Sequence, residues 1–168
     1  MKTYFIINPA AGQGNRIKEL EAEILMAAKT NNADIQMYFT KSPGDARDFV
    51  KKICEETSDT RFIACGGDGT LSEVLNGAIG FDRAQIGVYP IGTGNDFCRN
   101  FKTNGDFLSV EAQLNGETVS CDAIKYSFFS DGKEKTGYCA NMFNIGFDCN
   151  VADLTAKMKK KPKVKSRG

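Results

Sequence analysis

The chain has 168 residues, 41% hydrophobic and 26% charged, with a formal charge of +1. That balance is typical of a globular domain and gives no electrostatic reason to invoke nucleic acid. The absence of histidine excludes Ser-His-Asp triads and histidine-held zinc.

A chain of this length buries roughly 70% of its unfolded surface, so neither a metal nor a disulfide is needed to hold it together. Six cysteines stand at 54, 65, 98, 121, 139 and 149, with no C-x-x-C pair among them. They are expected to be reduced and mostly buried. No charged stretch followed by a long apolar one opens the chain, and "YFII" is too short to cross a bilayer. A cytoplasmic location is expected.

"TYFIIN" (residues 3–8) is an apolar run closed by Pro9 and Gly12, which predicts a buried strand. Over residues 15–30, Ile17, Leu20, Ile24, Leu25 and Ala28 recur at the spacing of one helix face. "DIQMYFT" predicts a second strand. Ser42, Pro43 and Asp45 read as cap, first turn and dipole partner of the next helix. Its stripe is Ala46, Phe49, Val50, Ile53 and Cys54.

"RFIAC" predicts a third strand, and "GGDG" follows at once. Thr70 and Glu73 have the spacing of a capping box for a helix reaching Ala78. "QIGVYP" predicts a fourth strand, then "IGTGNDFCRNF" with a short helix at its end. Residues 107–114 predict one more helix.

Four strand-helix alternations argue for an α/β fold, a Rossmann-like parallel sheet with helices on both faces. Ligands of such sheets bind beyond the carboxyl ends of the strands, where all four strand-to-helix loops fall. After Gly116 the texture becomes that of β-hairpins, with a turn at "SDGKEK". The expected division is a nucleotide-binding domain over residues 1–118 and the beginning of an incomplete β-sandwich over residues 119–168.

The glycine loops carry the chemistry. Amides at a helix N-terminus lack intrahelical partners and carry partial positive charge. Glycines in "CGGDGT" would let a phosphate approach them without meeting a β-carbon. Asp68 would repel that phosphate unless a divalent cation, Mg²⁺ by preference, lay between. Asp68 could also accept a proton from an attacking hydroxyl. The plainer alternative is a tight turn whose aspartate caps a helix. "PIGTGND" repeats the pattern with Gly92, Thr93, Gly94 and Asp96, so two loops could grip one ligand. Asp122 is a third candidate carboxylate, or simply an exposed strand residue. The dinucleotide fingerprint fails at Ile17, and a Walker A lysine is missing at Thr93.

"IINPAAG", "YFTKSPGDA", "ACGGDGTLSEVLNG", "GVYPIGTGNDFCRNF" and "CDAIKY" resemble, in order and spacing, the diacylglycerol kinase and sphingosine kinase catalytic-domain family, most closely its bacterial lipid kinases. "GGDGT" alone is shared with NAD kinases and phosphofructokinases; "P-x-G-T-x-N-D-F" points to the lipid branch. The resemblance implies transfer of the γ-phosphate of ATP to a lipid hydroxyl. By matching motifs it implies nucleotide contacts at Asn8, Pro9, Ala10, Ala11, Gly12 and Thr40. Further contacts are implied at Gly66, Gly67, Asp68, Gly69, Thr70, Leu71, Ser72, Glu73 and Thr93. Asp68, Asp96 and Asp122 correspond to the acids thought to organise Mg²⁺.

The resemblance also implies a longer protein, whose later part supplies the general base. A fragment with reduced or no activity alone is therefore expected. A non-catalytic nucleotide-binding module and an NAD kinase-like enzyme stay open as alternatives. The last twelve residues hold seven of the 22 basic residues and no acid. They read either as a solvated tail or as peripheral contact with an anionic membrane.

Overall fold

The computed structural model describes residues 1–12, 14–101, 106–142, 149–151, 154 and 157. The basic run, apart from Lys157, lies outside the described residues, and so does its expected membrane contact.

The elements run β1 (Lys2–Ile7), α1 (Gly14–Asn31), β2 (Ile35–Phe39), α2 (Asp45–Glu56), β3 (Thr60–Gly66), α3 (Asp68–Ala78), β4 (Ala84–Pro90) and α4 (Asp96–Arg99). A 3₁₀ turn (Asp106–Leu108), α5 (Val110–Asn115), β5 (Ile124–Ser130) and β6 (Lys133–Cys139) follow. The first four strands form one parallel sheet in the order β2-β1-β3-β4.

The central strands explain the sequence pattern. Covered on both faces, β1 and β3 are continuous apolar runs rather than alternating ones. Alternate residues divide between two cores. Tyr4, Ile6, Phe62 and Ala64 pack with α2 and α3 through Ala46, Val50 and Val74. Phe5, Ile7, Ile63 and Cys65 pack with α1 and α5 through Ile17, Leu20, Ile24 and Val110. Helices therefore cover both faces, as expected.

Three local expectations change. Leu25 is 53% exposed, because the face of α1 against the sheet is the narrower one of Ile17, Leu20, Ile24 and Ala27. Ser42 does not cap α2. The N-cap is Gly44, in the left-handed region at φ 88, and the acceptors come from α3. Glu73 Oε1 accepts from the Gly44 N–H at 2.9 Å, and Oε2 from the Ala46 N–H at 3.2 Å. The capping box is the third. With Gly67 as N-cap, Thr70 and Glu73 lie inside α3, and Glu73 caps the neighbouring helix instead.

Asp45 accepts from the Tyr38 hydroxyl and the Lys41 N–H, both at 2.8 Å. It thereby ties the loop before α2 back to β2.

On the other face, the buried Arg61 caps the end of α5. Its guanidinium donates to the carbonyls of Gln113 at 2.8 Å, Leu114, and Gly116 at 3.2 Å. Charge-assisted bonds to a helix C-terminus are favourable because the dipole ends there in partial negative charge.

β5 and β6 form an antiparallel hairpin closed by Asp131 and Gly132, at φ 55 and φ 72. Two consecutive left-handed residues suit a tight two-residue hairpin turn, within the expected "SDGKEK". Among the described residues no disulfide joins the six cysteines. Cys54, Cys65 and Cys98 are buried, Cys139 is half-buried, and Cys121 and Cys149 are exposed, so burial holds for three rather than most. Among the described residues no helix is long and apolar enough to cross a membrane.

Candidate functional site

Parallel strands bring the four loops to one edge of the sheet, and hydrogen bonds join them. The Asn8 N–H donates to the Cys65 carbonyl at 3.0 Å, and the Thr40 N–H to the Ile7 carbonyl at 2.9 Å. Asn8 Nδ2 donates to Thr70 Oγ1 at 3.2 Å, while its Oδ1 accepts from the Ala10 N–H at 3.0 Å. The loop after β1 is thus folded on itself and fastened to the first turn of α3.

The two glycine loops touch directly. The Gly66 carbonyl accepts from the Ile91 N–H at 3.0 Å and the Gly92 N–H at 3.1 Å. Asp68 Oδ1 accepts from the Phe97 N–H at 3.2 Å. Asp68 therefore caps the short helix of the second loop, so part of the plainer reading holds.

The glycines have a different cause from the one expected. A Cβ on Gly92 would stand 2.4 Å from the Gly67 Cα, and one on Gly66 would stand 2.1 Å from Thr70 Oγ1. Gly12, at φ 75, would meet the Ile91 carbonyl oxygen at 2.8 Å. Gly12 and Gly92 are bare because loop packs on loop, and Gly66 because the Thr70 side chain of α3 packs on it. Gly69 differs: a Cβ there would meet nothing within 4 Å. It is exposed in the first turn of α3, where amides have no intrahelical acceptor. Open space around the backbone is therefore a property of Gly69, not of the whole run.

The candidate metal acids separate into a pair and an outlier. Asp68 Oδ2 lies 2.9 Å, and Asp96 Oδ1 3.9 Å, from the point where a Cβ on Gly94 would stand. Asp96 also pairs with Arg99 at 3.3 Å. Asp122 is exposed, two residues before β5. Among the described residues no group of three metal-binding side chains forms. Two hard carboxylates beside one glycine do suit Mg²⁺, which completes its shell with water and phosphate oxygens.

Several predicted contacts sort by burial. Pro9, Ala10, Gly12 and Thr93 are exposed at this edge, and Asn8, Ala11, Thr40, Gly67, Asp68 and Ser72 are partly so. Leu71 points into the core, and both carboxylate oxygens of Glu73 are held by the amides of α2. Cys98, beneath Asp68, has its thiol pushed up to about 11 by burial and by the Asp68 charge.

Sequence reasoning missed Asn95, although it lies inside "PIGTGND". It sits at φ 54, and its Nδ2 donates to the Gly92 carbonyl at 2.8 Å. Among the described residues its buried Oδ1 has no hydrogen-bond partner. Left-handed φ is tolerated by asparagine better than by most residues, which was the available signal. Also missed were residues 139–142, which with Asp68, Ser72, Asp96 and Phe97 enclose a cavity of about 150 Å³. A larger cavity of about 450 Å³ lies at the opposite edge, beside Thr60 and Ala84 where β3 and β4 begin. It contains none of the loop residues, and in parallel sheets ligands sit at the carboxyl ends.

The fold and its joined glycine loops define an α/β protein with a Rossmann-like parallel sheet. The chain belongs to the diacylglycerol kinase catalytic domain family, which it matches over residues 2–126. It is 35% identical to the diacylglycerol kinase of Staphylococcus carnosus (strain TM300) over 71% of this chain and 39% of that one. With the diacylglycerol kinase of Staphylococcus aureus (strain bovine RF122 / ET3-1) the identity is 34%, over 71% and 38%. A solved diacylglycerol kinase structure from Bacillus anthracis str. Sterne superposes with a TM-score of 0.56 at 25% identity, covering 79% of this chain and 47% of that one. The chain spans less than half the length of these relatives. The antiparallel β5–β6 pair fits the start of a second domain.

Proposed function

We propose that this chain binds ATP at the carboxyl edge of its sheet and serves transfer of the γ-phosphate to the hydroxyl of a diacylglycerol-like lipid. The observation that carries this is the direct bonding of the two glycine loops, with Asp68 and Asp96 both beside Gly94. The triphosphate lies along the open backbone at Gly69, bordered by the loop from Asn8 to Gly12 and by Thr40 and Thr93. Asp68 and Asp96 would hold Mg²⁺, which when bound offsets the charge of the phosphates. Asp68 is the acid nearest the transfer and positions α4 at the same time.

Phosphoryl transfer is mostly positioning and electrostatic stabilisation. What these residues would do is orient the nucleotide beside the cavity that residues 139–142 border. The lipid hydroxyl enters from the side of the hairpin. The two-domain division near residue 118, action at the cytoplasmic face of a membrane, and reduced turnover by these residues alone belong to the same reading. Membership of the lipid kinase family disfavours the NAD kinase-like alternative.

Calorimetric titration of ATP with Mg²⁺ into wild type and Asp68→Asn, followed by phosphorylation of diacylglycerol in mixed vesicles, tests the proposal. Saturable heat in the wild type that weakens in the variant supports it. A wild type that gives no heat of binding sinks it.

A further inference from the structure

Asn76 stands on α3, two turns from Asp68, and uses its whole side-chain amide. Nδ2 donates to the Ser72 carbonyl at 2.7 Å and to the Tyr138 carbonyl at 2.8 Å. Oδ1 accepts from the Tyr138 N–H at 2.8 Å. The bond to Ser72, one turn back on the same helix, fixes the side chain before it meets its partner. Two donors and one acceptor are thereby satisfied, and the amide stands in for the backbone of a neighbouring strand.

Tyr138 lies opposite Lys125 in the hairpin register, yet its N–H and C=O both turn to Asn76. In an antiparallel pair alternate residues point these groups away from the partner strand. Asn76 therefore occupies the outer edge of β6 at the residue just before the strand ends. Beyond it Cys139 Sγ donates to the Met142 carbonyl at 3.1 Å, which closes residues 139–142 into a turn. That turn borders the cavity containing Asp68 and Asp96. On its far side Asn141 accepts from Asn100 Nδ2 at 2.9 Å.

We infer that Asn76 is a positioning residue: its grip on the Tyr138 backbone sets residues 139–142 against Asp68, so that one helix aligns the hairpin with the phosphate loop. The inference rests on the nucleotide reading above. One helix carries both Asp68 and Asn76, so the phosphate loop and the clamp on the hairpin share a single element.

The test is amide exchange and MgATP titration, followed by NMR on the full chain, in wild type, Asn76→Ala and Asn76→Asp. In Asn76→Ala the Tyr138 amide is expected to exchange at least about tenfold faster, because its acceptor is gone. MgATP is expected to shift Gly69 and Thr70 in both proteins, but Ala140 and Asn141 only in wild type. Asn76→Asp keeps an acceptor for the Tyr138 N–H and loses the donor, so a smaller rise in exchange is expected; it serves where the alanine variant folds poorly. Unchanged exchange at Tyr138, or shifts at Ala140 and Asn141 that survive in Asn76→Ala, overturns the inference. A wild type whose resonances ignore MgATP overturns the nucleotide reading and the positioning role with it. Exchange at Tyr138 then still reports whether the clamp exists, which separates the two failures.

Discussion

Asp68 Oδ1 accepts the backbone N–H of Phe97 at 3.2 Å, so the acid of the first glycine loop holds the helix of the second. One carboxylate thus has a structural bond on one oxygen, while its other oxygen faces Gly94. The two roles separate by substitution. Asn keeps an oxygen acceptor for Phe97 and removes the charge. Ala removes both.

Asp68→Asn should therefore unfold within about 2 °C of wild type while its Mg²⁺-dependent ATP affinity falls about tenfold or more. Asp68→Ala should lose the same affinity and also about 1 kcal/mol of stability from the freed Phe97 amide. Thermal scans and calorimetry distinguish the two. Equal ATP affinity in wild type and Asp68→Asn would remove Asp68 from the ligand's surroundings.

Glu73 gives a different expectation, because both its oxygens are held at the start of α2. Removing it leaves the N-cap amide and one first-turn amide without acceptors, at a cost of about 2 kcal/mol for partly buried, charge-assisted bonds. In a chain of this size that is about 4–8 °C in Tm. Glu73→Ala should lower Tm by that amount, and Glu73→Gln by less, since one oxygen acceptor remains. ATP affinity measured well below Tm should hardly move. A loss of affinity in Glu73→Gln larger than its loss of stability would restore Glu73 to the nucleotide contacts that the family resemblance implies.

Tyr89 supplies a pH dependence. Its hydroxyl donates to Glu23 Oε2 at 3.2 Å, and the other oxygen of Glu23 accepts from the Val110 N–H at 2.9 Å. Burial, with the Glu23 charge adding to it, pushes the phenol up from 10.0 to about 12. The unfolded chain then loses this proton first as pH rises, so proton loss favours unfolding. The contribution is fully present below pH 10 and is lost between 10 and about 12. Denaturant midpoints at pH 8, 10 and 11 should fall more steeply in wild type than in Tyr89→Phe. Parallel falls in the two proteins would show that Tyr89 is not the group responsible.

The sheet and its helices were legible because their signals are local and periodic. Phe5, Ile7, Ile63 and Cys65 alternate with Tyr4, Ile6, Phe62 and Ala64, and each set faces its own helices. The stripe on α2 reads off the chain for the same reason. The caps did not, since Glu73 reaches an amide 29 residues away and outcompetes Ser42. Nor did the Asn76 clamp, whose partner is 62 residues distant and consists of backbone alone. An asparagine in the middle of a helix carries no sign of what it will meet. The edge where the loops meet was legible, but not that Gly12, Gly66 and Gly92 leave no room for a Cβ while Gly69 has open space around it.

That distinction sets the last expectation. Gly92 and Gly69 lie in the two loops under opposite constraints. A Cβ on Gly92 falls 2.4 Å from the Gly67 Cα and 2.9 Å from Asn95 Oδ1, so backbone must separate from backbone. Gly92→Ala should cost about 1–3 kcal/mol, as overpacking does, and should lower Tm by several degrees. It should weaken ATP binding as well, because the loops no longer meet. A Cβ on Gly69 falls in open space, and alanine is the better helix former by about 1 kcal/mol. Gly69→Ala should therefore leave Tm unchanged or raise it slightly. If a phosphate rests on that amide, the added methyl group nonetheless weakens ATP binding about tenfold. Stability retained with affinity lost is the signature of a ligand at Gly69. Affinity retained in Gly69→Ala would mean that the phosphates lie elsewhere on this edge.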